Sequence, residues 1–467
     1  MLNVRLTKNK TFILCFLILT FVSVAQLFGN SSNFRYYFHQ DNDDSFMDLY
    51  NSVIYQKYAV KNGAPLGFYP PLSIIPYRIM GYGIKDVDAD FPSRQQAFAL
   101  RSSVYGSFLL FIQIMPFLFF FFILVFYAIK GSDKRKLFYS FLLSFSGLML
   151  WTLERGNIIN YALIFTMLFV LLYQSENEKY RFLAYVCLAV AANLKLYPAV
   201  FGLLLIDKKD WNGIVKCIGS FLVIYLISFI ICSFKLPASK TAASISVNQE
   251  IYASFGLFSA IADMVKAVFT NVMNGFSWGE KAANYGSGLN FSINNLCKVI
   301  YLFILKVSHL DMTNTDIIRL YYVNHIIIYR IVTCFFLLIG IFSFFFSNEK
   351  WKKLAVPAFL CFYIPPTSWM YVLMFMIIPF VDFINSEQKS IFDYFYSMVF
   401  AVIFALLIVP FKVAISPYDV TGGFVLQVGA LLFMYFCIFA SAVKNLFDKK
   451  KNPNKTFKTN AIKVMEK

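Results

Sequence analysis

The stretch FLAYVCLAVAANLKLYPAVFGLLLI, residues 182–206, decides the fold class of this chain. It is apolar except for three interruptions close to its middle, Asn193, Lys195 and Pro198. A single membrane helix needs about 20 residues, and proline breaks a helix interior, so this run is too long and too interrupted for one simple helix. We therefore predict two short helices that meet at NLKLYP, residues 193–198, with their far ends on the same side of a membrane.

The composition agrees with a membrane protein. The chain has 467 residues, of which 59% are hydrophobic and 14% are charged. Soluble domains are about half apolar and about a quarter charged. Uncharged runs such as residues 11–29 and 104–129 are long enough to span a hydrocarbon core of roughly 30 Å.

The formal charge of +17 does not indicate nucleic-acid binding, because of where the basic residues lie. Lysine and arginine concentrate in short connectors that alternate with connectors richer in acidic, amide and aromatic residues. This alternation is the positive-inside pattern and places the basic connectors in the cytoplasm, where the basic tail meets lipid headgroups or water. The basic connectors are residues 5–10, 130–136, 208–209, 350–353 and 444–467.

The fold predicted is an all-α integral membrane protein, a polytopic bundle of about 12 membrane segments with both termini in the cytoplasm. Residues 1–467 form one membrane domain, and we interpret the first apolar stretch as a retained helix rather than a signal peptide. Predicted segments include 137–153, 157–173, a hairpin over 354–385, and 391–411. Two regions lie outside, a large first loop at 30–103 and a region at 235–321 with amphipathic stretches 251–270 and 291–308; the basic tail spans 444–467.

An acidic cluster follows the first apolar stretch, in DNDDSFMDLYNSV, residues 41–53. Asp44 and Asp48 share one face if this stretch is helical, and two close carboxylates disfavour each other's ionisation. One of them is then a candidate general base. The alternative is a solvated acidic loop without a catalytic role.

Other polar residues stand out because ionisable groups at membrane depth are costly. Lys195 requires an anionic partner, either a protein carboxylate or a ligand phosphate, unless its side chain snorkels to the interface. The sequence ERGN, residues 154–157, forms a predicted hairpin tip, where Glu154 and Arg155 could simply pair locally. Pro70 and Pro71 are predicted to begin a short helix. The eight cysteines are interpreted as small core residues, and no metal-ligand spacing is present, although the Asp pair could hold a divalent cation.

Five of these stretches, in this order, resemble glycosyltransferase family 87 over about residues 41–379. They are the outer-loop aspartate, FYPPLSIIPY (68–77), RGNIIN (155–160), NLKLYPAV (193–200) and PPTSWMYVL (365–373). The resemblance implies the C-type glycosyltransferase fold and a cell-membrane enzyme that uses a polyprenyl-phosphate sugar, typically mannose. The acceptor would be a lipid-linked or cell-envelope glycan, reached at the outer face by a single inverting displacement without a cofactor.

The resemblance also implies roles for individual residues. Asp44 takes the place of the catalytic aspartate, with Asp48 as the alternate. The donor phosphate is assigned to Lys195, Arg155 and Tyr371. The family commonly has a histidine shortly after the late tryptophan, where Met370 and Tyr371 stand here, so Tyr371, Arg155, His325 and Arg330 are candidates to replace it. The substrate-binding residues implied are Tyr69, Asn157, Asn160, Ser368 and Trp369.

Two other classes of membrane protein compete with this interpretation. A transporter or flippase for a lipid-linked saccharide would also have broken helices and buried charges, but the chain has no detectable internal repeat. An O-antigen-type polymerase or ligase would act on similar substrates, but it is expected to have arginine-rich outer loops rather than an acidic first loop.

Overall fold

A computed structural model describes residues 7–29, 45–62, 70–84, 94–233, 290–308, 314–407, 409, 412–415 and 418–451. Asp44, Tyr69, the amphipathic stretch 251–270 and the tail beyond residue 451 lie outside these described residues. Predictions about them stay predictions.

The described chain is almost entirely helical. Its α-helices are α1 (Lys8–Gly29), α2 (Met47–Asn62), α3 (Pro71–Gly81), α4 (Arg94–Arg101), α5 (Val104–Ala128), α6 (Asp133–Ser144), α7 (Gly147–Arg155), α8 (Ile159–Leu172), α9 (Glu178–Leu194), α10 (Leu203–Asp207), α11 (Trp211–Ser233), α12 (Ile293–Val307), α13 (Asn314–Phe346), α14 (Lys350–Tyr363), α15 (Ile377–Asn385), α16 (Phe392–Phe404) and α17 (Gly422–Lys451). Two 3₁₀ helices, here η1 (Tyr197–Gly202) and η2 (Met370–Met376), and two strands, β1 (Lys412–Ile415) and β2 (Tyr418–Thr421), complete it.

Five of the described helices, α1, α5, α11, α13 and α17, are long and apolar enough to cross a membrane. A sixth span results if α6 and α7, which are bent by 48° at their junction, are taken as one. The prediction of a helical membrane-embedded protein is therefore confirmed, while the count of about 12 segments and the C-type fold stay predictions. The remaining helices are shorter and meet at breaks.

The break predicted at NLKLYP is present. Helix α9 ends at Leu194, Lys195 has an extended backbone (φ −150°, ψ 133°), and Pro198 lies in the first turn of η1. Helix α10 then ends at Asp207, whose carboxylate accepts from Lys353 Nζ at 2.7 Å. The Tyr185 hydroxyl of α9 donates to Asp210 Oδ2 at 2.5 Å, so the first half of α9 lies near the end of α10. That the two far ends lie on the same side of a membrane stays a prediction.

Three other predicted segments differ from the structure. The segment 137–153 is divided into α6 and α7, because Ser146 starts a new helix by accepting from the Met149 N–H at 3.3 Å. The hairpin at 354–385 contains η2 between α14 and α15. The segment 391–411 ends at Phe404, and an antiparallel hairpin that sequence reasoning missed follows, with Lys412 opposite Thr421 and Ile415 opposite Tyr418.

The basic connectors meet around the C-terminal end of α15. Lys8 Nζ donates to the Phe383 carbonyl oxygen at 2.6 Å, and Arg135 Nη2 donates to the Ile384 carbonyl oxygen at 2.7 Å. Cations stabilise the carbonyl-rich end of a helix, so these contacts hold the starts of α1 and α6 against α15. Asn385 Nδ2 adds a bond to the Ala128 carbonyl oxygen at 2.8 Å, which brings in the end of α5.

Gly147, the first residue of α7, tests the close packing of α7 on the backbone that follows α16. A Cβ atom at this position would lie 2.6 Å from the Ala405 carbonyl oxygen and from Leu406 backbone atoms. Because backbone yields little, we expect Gly147→Ala to lower the free energy of unfolding by about 1–3 kcal/mol. Gly219→Ala in α11 is the matched control, since a Cβ there meets nothing within 4 Å. Thermal unfolding in detergent measures both, and equal stability of the two variants would contradict the close packing.

Candidate functional site

The start of α2 packs on the end of α7. The Phe46 N–H donates to the Glu154 carbonyl oxygen at 2.6 Å, and Phe46 itself has a positive φ of 62°. Gly156 ends α7 with a φ of 64°, and a Cβ atom there would lie 3.1 Å from Leu49 Cβ. A left-handed backbone is energetically unfavourable for any residue that has a Cβ atom, so glycine is needed for this close approach.

This contact places Asp48 between two donors from the α7–α8 turn. Asp48 Oδ1 accepts from Arg155 Nη2 at 2.5 Å, and Asp48 Oδ2 accepts from Asn157 Nδ2 at 3.0 Å. The Asp48 side chain is 20% exposed and that of Arg155 is 13% exposed. A carboxylate in the first turn of α2 also interacts favourably with the helix N-terminus. The carboxylate is therefore held firmly but is still accessible to a small polar group.

The Asn157 amide is fixed by the start of α8. Its Oδ1 accepts from the Ile159 N–H at 3.1 Å, while the Ile158 N–H donates to the Tyr77 hydroxyl at 3.1 Å. The free N–H groups at a helix start need acceptors, and these two bonds supply them. With Oδ1 occupied in this way, Nδ2 faces Asp48.

Lys195 is half-buried at the end of α9, and the charge of Asp48 acts on it. The structure thus brings together Asp48, Arg155, Asn157 and Lys195, which the sequence had suggested as parts of one site. Membrane proteins often place charged side chains where helices are interrupted, and a partly buried ammonium at such a break can interact with an anionic group.

Aromatic contacts connect η2 to both sides of this cluster. The Tyr371 ring stacks on Trp151 of α7 at a centroid distance of 6.1 Å, one helical turn before Arg155. The Phe375 ring packs edge-on against Tyr197, the second residue after Lys195, at 6.0 Å. Tyr371 is buried. Of the other residues considered to replace the late histidine, Arg330 is exposed on α13, and the His325 side chain lies outside the described residues.

The loop that carries Ser368 and Trp369 is held by a short segment before α12. The Phe291 N–H donates to the Ser368 carbonyl oxygen at 2.7 Å, and the Ser368 N–H donates to Asn290 Oδ1 at 2.9 Å. Ser292 Oγ and Asn294 Nδ2 both donate to the Pro366 carbonyl oxygen, at 3.0 and 3.2 Å. The amphipathic stretch predicted at 291–308 includes most of this segment, but its contacts with the loop at Ser368 were not predicted. Their signal was the polar run NFSINN, residues 290–295, where the amphipathic helix begins.

Helix α12 presents its polar side inward. Lys298 is 1% exposed, and burial lowers the pKa of its ammonium to about 8. Asn294 is one helical turn before Lys298, so the two side chains share the buried face. The opposite face, with Ile300, Phe303 and Ile304, is exposed, as expected for a helix that rests against lipid.

Several buried polar atoms near the site lack hydrogen-bond partners among the described residues. Both amide atoms of Asn160, in the first turn of α8, and Ser368 Oγ belong to this group. Buried polar groups are usually satisfied, so water or substrate groups are the expected partners here. Among the described residues, no group of three or more His, Cys, Asp or Glu side chains could hold a metal ion.

Comparison with known proteins gives one match. Residues 94–270 match the model of glycosyltransferase family 87, a range that includes Arg155, Asn157 and Lys195. No curated protein and no solved structure matches the chain. The match supports the resemblance suggested by the five sequence stretches and indicates a glycosyltransferase.

Gly156→Ala tests whether this glycine allows α2 to dock. An alanine would take the unfavourable left-handed backbone and press on Leu49, so we expect a loss of about 1–2 kcal/mol of stability. Gly202→Ala in η1 is the control, because its Cβ would meet no atom closer than Leu188 Cδ2 at 3.9 Å. Thermal unfolding of both purified variants measures the difference. A Gly156→Ala protein as stable as the control would argue against the tight turn.

Proposed function

We propose that this glycosyltransferase moves a hexose, with mannose as the first candidate, from a polyprenyl-phosphate donor to a lipid-linked or cell-envelope glycan. The transfer takes place at the outer face of the cell membrane by a single inverting displacement. The observation that carries this proposal is the accessible Asp48 carboxylate, held by Arg155 and Asn157, with its charge acting on Lys195 at a helix break.

Asp48 is proposed to act as the general base. Each carboxylate oxygen has two lone pairs, and each accepts one described side-chain hydrogen bond, so a lone pair remains for the acceptor hydroxyl. As the hydroxyl oxygen attacks the sugar C1 atom, its proton passes to the carboxylate. Asp44, the first choice from the sequence, lies outside the described residues and stays a candidate for the same role.

Lys195 is proposed to stabilise the leaving phosphate. When the bond between C1 and the phosphate oxygen breaks, its electron pair stays on the phosphate, whose added charge a nearby ammonium stabilises. A base on one side of C1 and a leaving-group stabiliser on the other describe one displacement with inversion. Tyr371 stays a proposed contact to the donor phosphate. The proposed contacts to the substrates are Ser368, Trp369, Asn160 and Tyr69.

The position of the basic residues supports an outward-facing site. Lys8, Arg135 and Lys350 surround the end of α15, and helix α9 runs from the neighbourhood of Asp210 and Lys208 to the break at Lys195. Under the positive-inside rule the basic end faces the cytoplasm, so the helix break is directed away from it. A sugar donor carried on a lipid is available there without a nucleotide sugar.

Purified protein tests this function directly. The probes are radiolabelled polyprenyl-phosphate mannose and polyprenyl-phosphate glucose, with a membrane glycolipid extract as acceptor and GDP-mannose as the control donor. We expect label in a saccharide product from a polyprenyl-phosphate donor alone. Label from GDP-mannose alone would contradict the donor class, and lipid-linked sugar that crosses proteoliposomes without transfer would favour the transporter.

Asp48→Asn tests the base. The amide preserves size and polarity but does not take up the proton, so we expect turnover to fall by about 10²–10⁴-fold with little change in donor binding. Asp44→Asn is the paired variant, because it makes the same chemical change four residues earlier in the sequence. Loss confined to Asp44→Asn would move the base to Asp44, and full activity of both variants would remove the carboxylates from the mechanism.

Lys195→Met tests the phosphate contact, since methionine keeps most of the length and removes the charge. We expect a loss of about 10²-fold in kcat/KM for the donor. Lys216→Met, at an exposed position in α11, is the matched control and should stay within about twofold of the wild type. A folded Lys195→Met protein with near-normal transfer would exclude this assignment.

A further inference from the structure

We propose that Asn157 is the positioning residue of the Asp48 base, and that Arg155 acts on the same carboxylate rather than on the donor phosphate. This inference rests on the proposed function, because it assigns Asp48 as the base. It concerns how the carboxylate is oriented.

The first step of the argument is the fixed direction of the Asn157 amide. Asn157 is 1% exposed, so water does not compete for its polar atoms. Its Oδ1 accepts from the Ile159 N–H at 3.1 Å, which leaves Nδ2 to donate to Asp48 Oδ2 at 3.0 Å. A helix start therefore determines which side of the amide meets the carboxylate.

The second step is that both carboxylate oxygens are held from one short turn. Arg155 and Asn157 stand on either side of Gly156, whose left-handed backbone turns the chain between them. Arg155 Nη2 donates to Asp48 Oδ1 at 2.5 Å and Asn157 Nδ2 donates to Asp48 Oδ2 at 3.0 Å. These two bonds fix the plane of the Asp48 carboxylate. A base whose remaining lone pairs have fixed directions orients the attacking hydroxyl. Such orientation of the reacting groups lowers the activation free energy substantially.

A purely structural role for Asn157 would involve Oδ1 alone, through the start of α8. Asn157→Asp separates the two roles, because a carboxylate oxygen still accepts from the Ile159 N–H. The other oxygen then replaces an N–H donor with a negative charge opposite Asp48.

Asn177 provides a matched control for this substitution. It precedes α9, and its Oδ1 accepts from the Lys179 N–H at 2.9 Å, the same local bond that Asn157 makes to Ile159. Asn177 is exposed, and it has no part in the site. Asn177→Asp therefore repeats the chemical change at a helix start without placing a charge beside Asp48.

The activity experiment compares pH–rate profiles for transfer from polyprenyl-phosphate mannose. We expect Asn157→Asp to lower kcat by about tenfold with little change in the donor KM. The acid limb should move to higher pH, since a second carboxylate disfavours the ionised form of its neighbour. Asn177→Asp should keep the wild-type profile. An Asn157→Asp profile that coincides with the wild type would overturn the positioning role.

A second experiment gives a readout without activity. Asn157→Asp should lower the unfolding temperature relative to Asn177→Asp, and adding Asp48→Asn should restore it. In the double variant the carboxylate at position 157 accepts from the amide at position 48, so the bond is re-formed with its polarity reversed. The double variant should stay inactive, because the base has been removed.

The two experiments separate the possible failures. If the wild type transfers sugar but the double variant regains no stability, the pairing of Asn157 with Asp48 is wrong although the proposed function stands. If the wild type uses no polyprenyl-phosphate donor, the proposed function fails, and the stability of the double variant alone decides whether the two residues pair. Failure of both the single and the double variants to fold would also overturn the pairing, because the pairing predicts that the double variant regains stability.

Discussion

The site depends on one constraint, that the charge on Asp48 must be balanced by neighbouring groups at the edge of an apolar helix bundle. A carboxylate in such a place is stable only with close hydrogen-bond donors, and the turn between α7 and α8 supplies two. That pairing fixes α2 against α7, and the Phe46 N–H bond to Glu154 adds to it. The same contacts that stabilise the fold here therefore also orient the residue proposed to accept the proton.

The functional groups lie where helices end. Lys195 follows α9, Arg155 ends α7, Asn157 precedes α8, and Asp48 is in the first turn of α2. In lipid, backbone N–H and carbonyl groups must be satisfied within the protein, so breaks occur where side chains or other backbone can supply partners. Asn157 and Tyr77 do this for α8, and the NFSINN segment does it for the loop around Ser368. The cost of interrupting helices is met by these polar groups.

At the opposite end of the bundle, polar side chains also bond to the end of a helix. Lys8 and Arg135 donate to the last carbonyl groups of α15, and Lys353 pairs with Asp207. These contacts gather basic connectors from distant parts of the sequence at one place. They supply the asymmetry of charge from which an orientation in the membrane follows. One set of polar contacts therefore agrees with the proposed orientation, and the other builds the proposed site.

The sequence alone was enough to predict the helical membrane character and the break at NLKLYP, because hydropathy, proline and isolated charges act over a few neighbouring residues. It named Arg155, Asn157 and Lys195 as candidates for one site, with Asp48 as the alternate to Asp44. It did not predict the β1–β2 hairpin, the division into α6 and α7, or the contacts of the NFSINN segment with the loop at Ser368. These features depend on close packing with remote backbone, such as that of Gly147 on Leu406. From the sequence alone, the partner of Arg155 could be either Glu154 or a phosphate. Tertiary structure decided that it bonds to Asp48, a residue 107 positions away, because only folding brings such distant charges within hydrogen-bond distance.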